Sequence, residues 1–65
     1  MQIILNGKTC SFESVITVQD LLEKMQFTGR LAVEVNQAIV PRSRFRTYEI
    51  HAGDAVEIVH AIGGG

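Results

Sequence analysis

The sequence predicts an α+β fold in which one helix covers one face of a mixed sheet of four to five strands. Three observations support this fold class. The chain opens with two short alternating segments joined by Asn6-Gly7, one amphipathic stretch follows, and alternating segments return after Gly29. The predicted order is therefore hairpin, helix, strand, short strand and final strand, with no internal repeat.

The first two strands form a predicted hairpin. Residues 1–5 alternate, so that the odd-numbered side chains share one face. Asn6 and Gly7 follow, and this pair is a strong hairpin signal because both residue types tolerate positive φ. Residues 8–12 then return as the second strand, with Cys10 on its inward face.

The next segment predicts a helix with a defined start and end. Thr17 is suited to the N-cap, and Asp20 lies three residues later, as a capping box requires. Gly29 is placed to end the helix in a left-handed conformation. An apolar stripe of helical period is formed by Val18, Leu21, Leu22 and Met25.

The second half of the chain predicts strands separated by turns and one irregular stretch. The last strand places Val56 and Ile58 on its core face by alternation. In order, we expect a strand at 31–35, a turn at 36–37, a short strand at 38–40 stopped by Pro41, an irregular stretch with one short helical turn at 43–52, and a strand at 55–61.

Composition excludes several classes of protein. A single cysteine, Cys10, permits no intramolecular disulfide and fits a reducing compartment. The net charge of −1 gives no general attraction to nucleic acid or to anionic membranes. The chain begins without a visible secretory signal and has no apolar run long enough to span a bilayer, so we expect a cytoplasmic protein.

The three glycines Gly63, Gly64 and Gly65 are the most informative feature. Without side chains, such a segment can enter a channel where other residues clash. We expect residues 1–62 to form the domain and residues 63–65 a flexible tail. The carboxylate of Gly65, with a reference pKa of about 3.5, is ionised at neutral pH and can attack an activated phosphate. Attack on the α-phosphate of ATP gives an acyl-adenylate, and the ATP site must belong to a partner enzyme. We therefore expect a carrier that is not an enzyme.

Other reactive side chains are interpreted as structural. Cys10 suits a small buried hydrophobe better than a nucleophile or a persulfide carrier. His51 and His60 have no partner at metal-ligand spacing, so we expect neither a metal site nor a cofactor. A basic cluster is interpreted as a solvated loop, with docking to an acidic enzyme surface as the alternative; it comprises Arg42, Arg44 and Arg46.

A candidate partner surface lies on the outward face of the final strand. Alternation directs Glu57, Val59 and Ala61 away from the core. Ile4 has the same outward parity on the first strand. We expect Ile4, Val59 and Ala61 to form a small apolar patch beside the tail, where a partner that takes up Gly65 would dock.

The chain resembles the ThiS family, the small sulfur-carrier proteins of thiamin biosynthesis. The resemblance covers nearly the whole length and is most specific in three segments. These are Val35-Asn36-Gln37-Ala38-Ile39-Val40-Pro41-Arg42, Gly53-Asp54-Ala55-Val56-Glu57-Ile58-Val59, and the Gly-Gly end. Met1-Gln2-Ile3 followed by Asn6-Gly7 is also similar to the family.

This resemblance implies a ubiquitin-like β-grasp fold and a function for the tail. Gly64 and Gly65 match the family's functional pair, so that an ATP-dependent adenylating enzyme would activate Gly65. A sulfur donor would convert it to a thiocarboxylate, and thiazole synthase would receive the sulfur. The alternatives are a molybdopterin-type sulfur carrier, a ubiquitin-like modifier conjugated through Gly65, and a β-grasp binding module with an inert tail.

Overall fold

The fold was obtained as a computed structural model that describes residues 1–61. The predicted glycine tail at 63–65, with residue 62 before it, lies outside the described residues. In chain order the elements are β1 (Gln2–Leu5), β2 (Lys8–Ser11), β3 (Ile16–Thr17), α1 (Val18–Lys24), β4 (Leu31–Val35), β5 (Ala38–Val40), a 3₁₀ turn (Arg42–Arg44), β6 (Glu49–Ile50) and β7 (Ala55–His60).

Five strands form a mixed sheet in the order β2-β1-β7-β4-β5. The pairing of β1 with β7 is parallel, whereas β2 with β1, β7 with β4 and β4 with β5 are antiparallel. This arrangement confirms the predicted α+β class with a mixed sheet and one helix. Within residues 1–61, no helix has both the length and the apolar character needed to cross a membrane.

Both tight hairpins turn through left-handed backbone. Asn6 and Gly7 have φ of 50° and 81°, and Asn36 and Gln37 have φ of 52° and 71°. Two consecutive positive φ values match the type I′ geometry that two-residue hairpins favour. The Asn6-Gly7 turn is therefore confirmed, and the predicted turn at 36–37 has the same form with glutamine in place of glycine.

The two turn asparagines also bind the central strand β7. Asn6 Oδ1 accepts the backbone N–H of Ile58 at 2.8 Å, and Asn6 Nδ2 donates to the carbonyl of Ile58 at 3.2 Å. Asn36 Oδ1 accepts the N–H of Ala55 at 2.9 Å. Side chains from both hairpins therefore fix β7 between them.

The start of α1 follows the predicted capping box. The N–H of Asp20 donates to Thr17 Oγ1, and the N–H of Thr17 donates to Asp20 Oδ2, each at 3.1 Å. The two bonds satisfy backbone donors that have no partner within the helix, which typically stabilises a protein by about 1 kcal/mol.

The end of α1 corrects two sequence predictions. The helix stops at Lys24, so Met25, which was predicted to continue the apolar stripe of the helix, lies beyond its end and is 42% exposed. The left-handed residue is Gln26, with φ of 61°, and the N–H of Phe27 donates to the carbonyl of Leu22 at 2.9 Å. This bond is typical of a Schellman motif, in which Phe27 can pack against Leu22. Gly29 also has a positive φ, but it lies beyond the helix end and does not cap it.

The connection between β5 and β7 is more ordered than the sequence indicated. The predicted helical turn is present as the 3₁₀ turn, which begins at Arg42, just before the expected range. Ile50 pairs with Ile16 in a two-stranded ladder that was not predicted. Ile50 is fully buried and Phe45 is 5% exposed, so this connection closes one side of the core.

The core lies between α1 and one face of the sheet. Ile3 and Leu5 of β1 are buried, and so are Val56 and Ile58 of β7. This confirms the core-facing sides predicted for the two strands. Cys10 is half-buried against this core, as the structural interpretation predicted. The buried apolar residues are Ile3, Leu5, Ile16, Val18, Leu21, Leu22, Val33, Val35, Val40, Phe45, Ile50, Val56 and Ile58.

Replacing Asn6 should destabilise the sheet at its centre. Asn6→Gly removes both side-chain hydrogen bonds to Ile58 and should lower the free energy of unfolding by about 2 kcal/mol. Asn6→Ala should lower it by about 1 kcal/mol more, because alanine resists the left-handed conformation that glycine adopts freely. Urea unfolding of the three proteins measures both steps. Equal stability of wild type and Asn6→Gly would show that the amide bonds do not stabilise β7.

Candidate functional site

The outward face of β7 carries the predicted partner residues. Alternation along the strand buries Val56 and Ile58 at 1% and 3% exposure and leaves Val59 57% exposed. Ala61, just beyond the strand, is also exposed. The helix covers the opposite face of the sheet. These side chains therefore lie on a sheet surface that no element within residues 1–61 covers, and we call this surface the open face.

Ile4 lies on the same open face, but not beside Val59. It is 44% exposed and stands opposite Ala55 in the parallel pairing of β1 with β7. Val59 is four residues further along β7, which corresponds to roughly 13 Å of extended strand. Glu57 lies between them on this face. The expected contiguous patch is therefore corrected to two apolar spots, of which Val59 is the one close to the chain exit.

The last described residues are held firmly against the loop before β4. The N–H of Ala61 donates to the carbonyl of Arg30 at 2.9 Å. His60 Nε2 lies 3.2 Å from the carbonyl oxygen of Thr28, and the rings of His60 and Phe27 are 6.5 Å apart. This arrangement supports a structural role for His60. It also fixes the end of β7 and Ala61 against this loop.

The other reactive side chains do not gather into a chemical site. His51 Nε2 lies 3.6 Å from Glu49 Oε1, with both side chains 61% exposed. In the described part of the chain, no group of three or more His, Cys, Asp or Glu side chains is arranged to hold a metal ion. Cys10 lies on β2, next to β1 and not beside the chain exit.

The three arginines of the basic cluster lie away from the open face. All three are exposed, and Arg42 Nη2 approaches the carbonyl of Gly29 at 3.5 Å, at the limit of a hydrogen bond. Arg42 and Arg46 border a cavity of about 350 Å³ with Gln19 and Glu23 of α1. The cluster is therefore on the helix side of the molecule, and the structure does not bring it together with Val59.

Two carboxylates on the open face were not recognised as a pair from the sequence. Glu34 on β4 stands directly opposite Glu57 on β7 in the antiparallel register. On the far side of Glu34 stands Ile39 of β5, which is 75% exposed. The alternation of 31–35 and 55–61 directs both glutamates outward, but only the pairing of β4 with β7 reveals that they face each other.

The predicted working group itself lies outside the described residues. Gly63, Gly64 and Gly65 were expected to form the tail, with Gly65 as the modified residue. The described geometry that bears on them is the anchored exit at Ala61 and the open face next to it.

Comparison with known proteins supplies the family. The model of the ThiS family matches residues 3–65. The chain is 38% identical over 63 residues to the sulfur carrier protein ThiS of Bacillus subtilis, covering 94% of this chain and 96% of that one. It is also 39% identical over 66 residues to a thiazole synthase of Paramagnetospirillum magneticum, covering the whole of this chain. The chain spans only 20% of the length of that thiazole synthase and of a second one, from Magnetococcus marinus.

A solved structure matches over the complete length of both chains. It is the crystal structure of a thiamine biosynthesis protein, ThiS, from Geobacter metallireducens, with a TM-score of 0.89 and 29% sequence identity. This likeness confirms the ubiquitin-like β-grasp fold that the resemblance implied. Family model, sequence relatives and structure agree, and the chain belongs to the ThiS family.

Proposed function

We propose that this chain is a sulfur carrier of thiamin biosynthesis, with the carboxylate of Gly65 as its working group. The observation that carries the proposal is the family match, which extends through the three glycines to residue 65. The fold supplies a second support, because the N–H of Ala61 is anchored to the carbonyl of Arg30 at the end of the central strand, four residues before Gly65. The chain acts in this proposal as a substrate and carrier, without catalytic groups of its own.

The proposed chemistry has two steps. A Gly65 carboxylate oxygen attacks the α-phosphorus of ATP, the bond to the β-phosphate oxygen breaks, and pyrophosphate leaves. A sulfide-level nucleophile then attacks the acyl carbon, and AMP departs with the electron pair of the C–O bond. The product is a thiocarboxylate. If the donor is a persulfide, a second thiol must break the remaining S–S bond.

Three partners follow from this chemistry. An ATP-dependent adenylating enzyme supplies the nucleotide site and a sulfur donor supplies the sulfur. Thiazole synthase is the proposed acceptor, supported by the two thiazole synthases that contain a region similar to this whole chain. Because adenylation consumes ATP, the proposal places the protein in the cytoplasm.

The proposed docking surface for the adenylating enzyme is the open sheet face centred on Val59, together with Ala61 and, at its far end, Ile4. A partner that encloses Gly65 must approach from the side where the chain leaves β7. Val59 is the large apolar side chain closest to that exit on this face, and its 57% exposure leaves it free to be buried by another protein.

Intact mass spectrometry tests the chemistry at Gly65. Incubation with the adenylating enzyme, ATP and a sulfide source should add the mass difference between sulfur and oxygen, and fragmentation should locate it at Gly65. Deleting Gly65 should slow the reaction by about a hundredfold or more, because the new carboxylate falls short of the α-phosphate. Conjugation to a lysine instead would favour the modifier alternative, and an unreacted wild-type chain would favour the inert module. Transfer of sulfur to a molybdopterin precursor but not to thiazole synthase would favour the molybdopterin-type carrier.

Cys10→Ser should leave thiocarboxylate formation unchanged. Cys10 is half-buried against the core on β2, so its thiol acts as packing and the loss of stability should be about 1 kcal/mol or less. Thermal unfolding of the variant reports on packing, and the mass assay reports on sulfur transfer. A folded Cys10→Ser protein that fails to gain sulfur would revive the persulfide-carrier alternative.

Val59→Asp should weaken binding to the adenylating enzyme by about tenfold or more, because a carboxylate would be desolvated in the interface without a partner. Calorimetric titration measures the affinity, and thermal unfolding should show that the fold survives. Val15→Asp is the matched control, since Val15 is 48% exposed but lies between β2 and β3. Equal affinity of Val59→Asp and wild type would exclude Val59 from the interface.

A further inference from the structure

The open sheet face holds two like charges opposite each other. Glu34 and Glu57 are paired across β4 and β7, where directly opposed side chains have Cβ atoms about 5 Å apart. Like charges at such a position destabilise a sheet. Within residues 1–61, no hydrogen bond or ion pair involves either side chain. The described part of the fold therefore offers this pair no opposite charge.

Apolar side chains surround the two carboxylates. Ile39 flanks Glu34 on β5, and the Ala32–Val59 pair follows along β4 and β7. On the other side, Ile4 and Ala55 stand together. Charged groups inside an apolar rim can be shielded from water once a second protein covers the rim, and electrostatic attraction is then stronger than on an open surface.

A shallow cavity adjoins the two carboxylates. It has a volume of about 240 Å³, and both Glu34 and Glu57 line it together with Ile4. The remaining lining includes two turn residues, Gly7 and Gln37. An elongated cationic side chain can enter this space with its stem against Ile4 and its charged end toward the carboxylates.

We propose that the adenylating enzyme inserts an arginine side chain between Glu34 and Glu57, an inference that rests on the proposed function. A guanidinium group has five N–H donors in one plane and can bind two carboxylates at once, and its flat face packs against apolar side chains. The ammonium group of lysine is more strongly hydrated and lacks this planar geometry. The Glu34–Glu57 pair thereby selects the partner, while Val59 adds apolar contact.

Charge and reach both favour the adenylating enzyme as the occupant. An enzyme that holds ATP beside a carboxylate must surround that site with positive groups, which complement an acidic face. Gly65 follows Glu57 by eight residues, so the chain between them can span at most about 27 Å. One enzyme surface can therefore bind the Glu34–Glu57 pair while its nucleotide site receives Gly65.

The test compares two double variants that change the net charge equally. Glu34→Gln with Glu57→Gln should weaken binding to the adenylating enzyme by about tenfold or more at low ionic strength, with a smaller loss at high salt. Glu13→Gln with Glu49→Gln is the control, because both residues are exposed outside the five-stranded sheet, and should bind like wild type. Removal of the like-charge repulsion should also raise Tm by about 2 °C, so weaker binding cannot result from unfolding.

Chemical footprinting identifies the residue on the enzyme. Wild-type protein should shield one arginine of the enzyme from phenylglyoxal, and the Glu34→Gln, Glu57→Gln variant should not. Equal losses of affinity in the two double variants would overturn the proposal in favour of general charge attraction. Loss of affinity for thiazole synthase alone would also overturn it. Thiocarboxylate formation at saturating enzyme reports separately on the proposed function, since neither glutamate takes part in the chemistry at Gly65.

Discussion

On the side of β7 that faces β1, one amide side chain, that of Asn6, takes the place of backbone partners. The parallel ladder between β1 and β7 extends over only two residue pairs before β1 turns away at Asn6. The N–H and carbonyl of Ile58 point toward the space that β1 has left, and the Asn6 amide satisfies both. Without that amide, two part-buried backbone groups of the central strand would lose their partners, at a cost of about 1 kcal/mol each. Asparagine fits because it supplies a donor and an acceptor and also tolerates left-handed backbone.

This constraint helps to place the outward side chains of β7. Asn36 binds the beginning of the same strand from the opposite hairpin, so each turn both reverses its own chain and positions its neighbour. With β7 fixed at the centre, its outward side chains share one open face, and Ala61 is held at the end of the strand by its bond to the carbonyl of Arg30. The small size of this domain limits its core. Polar side chains at the turns therefore help to fix the position of the central strand, which in larger proteins depends more on core packing.

Local sequence signals predicted most of the fold, and long-range pairings account for what they missed. Thr17 and Asp20 predicted the helix start correctly because a capping box lies within one turn of the chain. Asn6-Gly7 predicted its hairpin correctly because a two-residue turn is equally local. The prediction that Gly29 ends the helix was wrong because glycine adopts positive φ in many kinds of turn. The left-handed residue after the helix is instead Gln26, next to the hydrogen bond from the N–H of Phe27 to the carbonyl of Leu22, which the residue pattern does not show. The Ile16–Ile50 ladder and the opposition of Glu34 and Glu57 join residues far apart in the chain, so alternation gave their faces but not their partners. For the site, parity placed Val59 and Ala61 outward but wrongly put Ile4 beside Val59, because parity carries no information on register.

The chemistry proposed for Gly65 and the recognition proposed for the sheet are separate physical problems. A terminal carboxylate on glycine has almost no features by which an enzyme can distinguish it from another glycine end, because it lacks any side chain to bind. Specific recognition must therefore come from the folded surface, where side chains have fixed positions. A sheet face serves this purpose better than a loop, since register and parity hold each side chain in place. Glu34 and Glu57 oppose each other on that rigid face at some cost in stability, and Val59 remains largely exposed beside them. A complementary partner would relieve this cost to the isolated domain. We expect such a cost to persist where selection acts on recognition and not on stability alone.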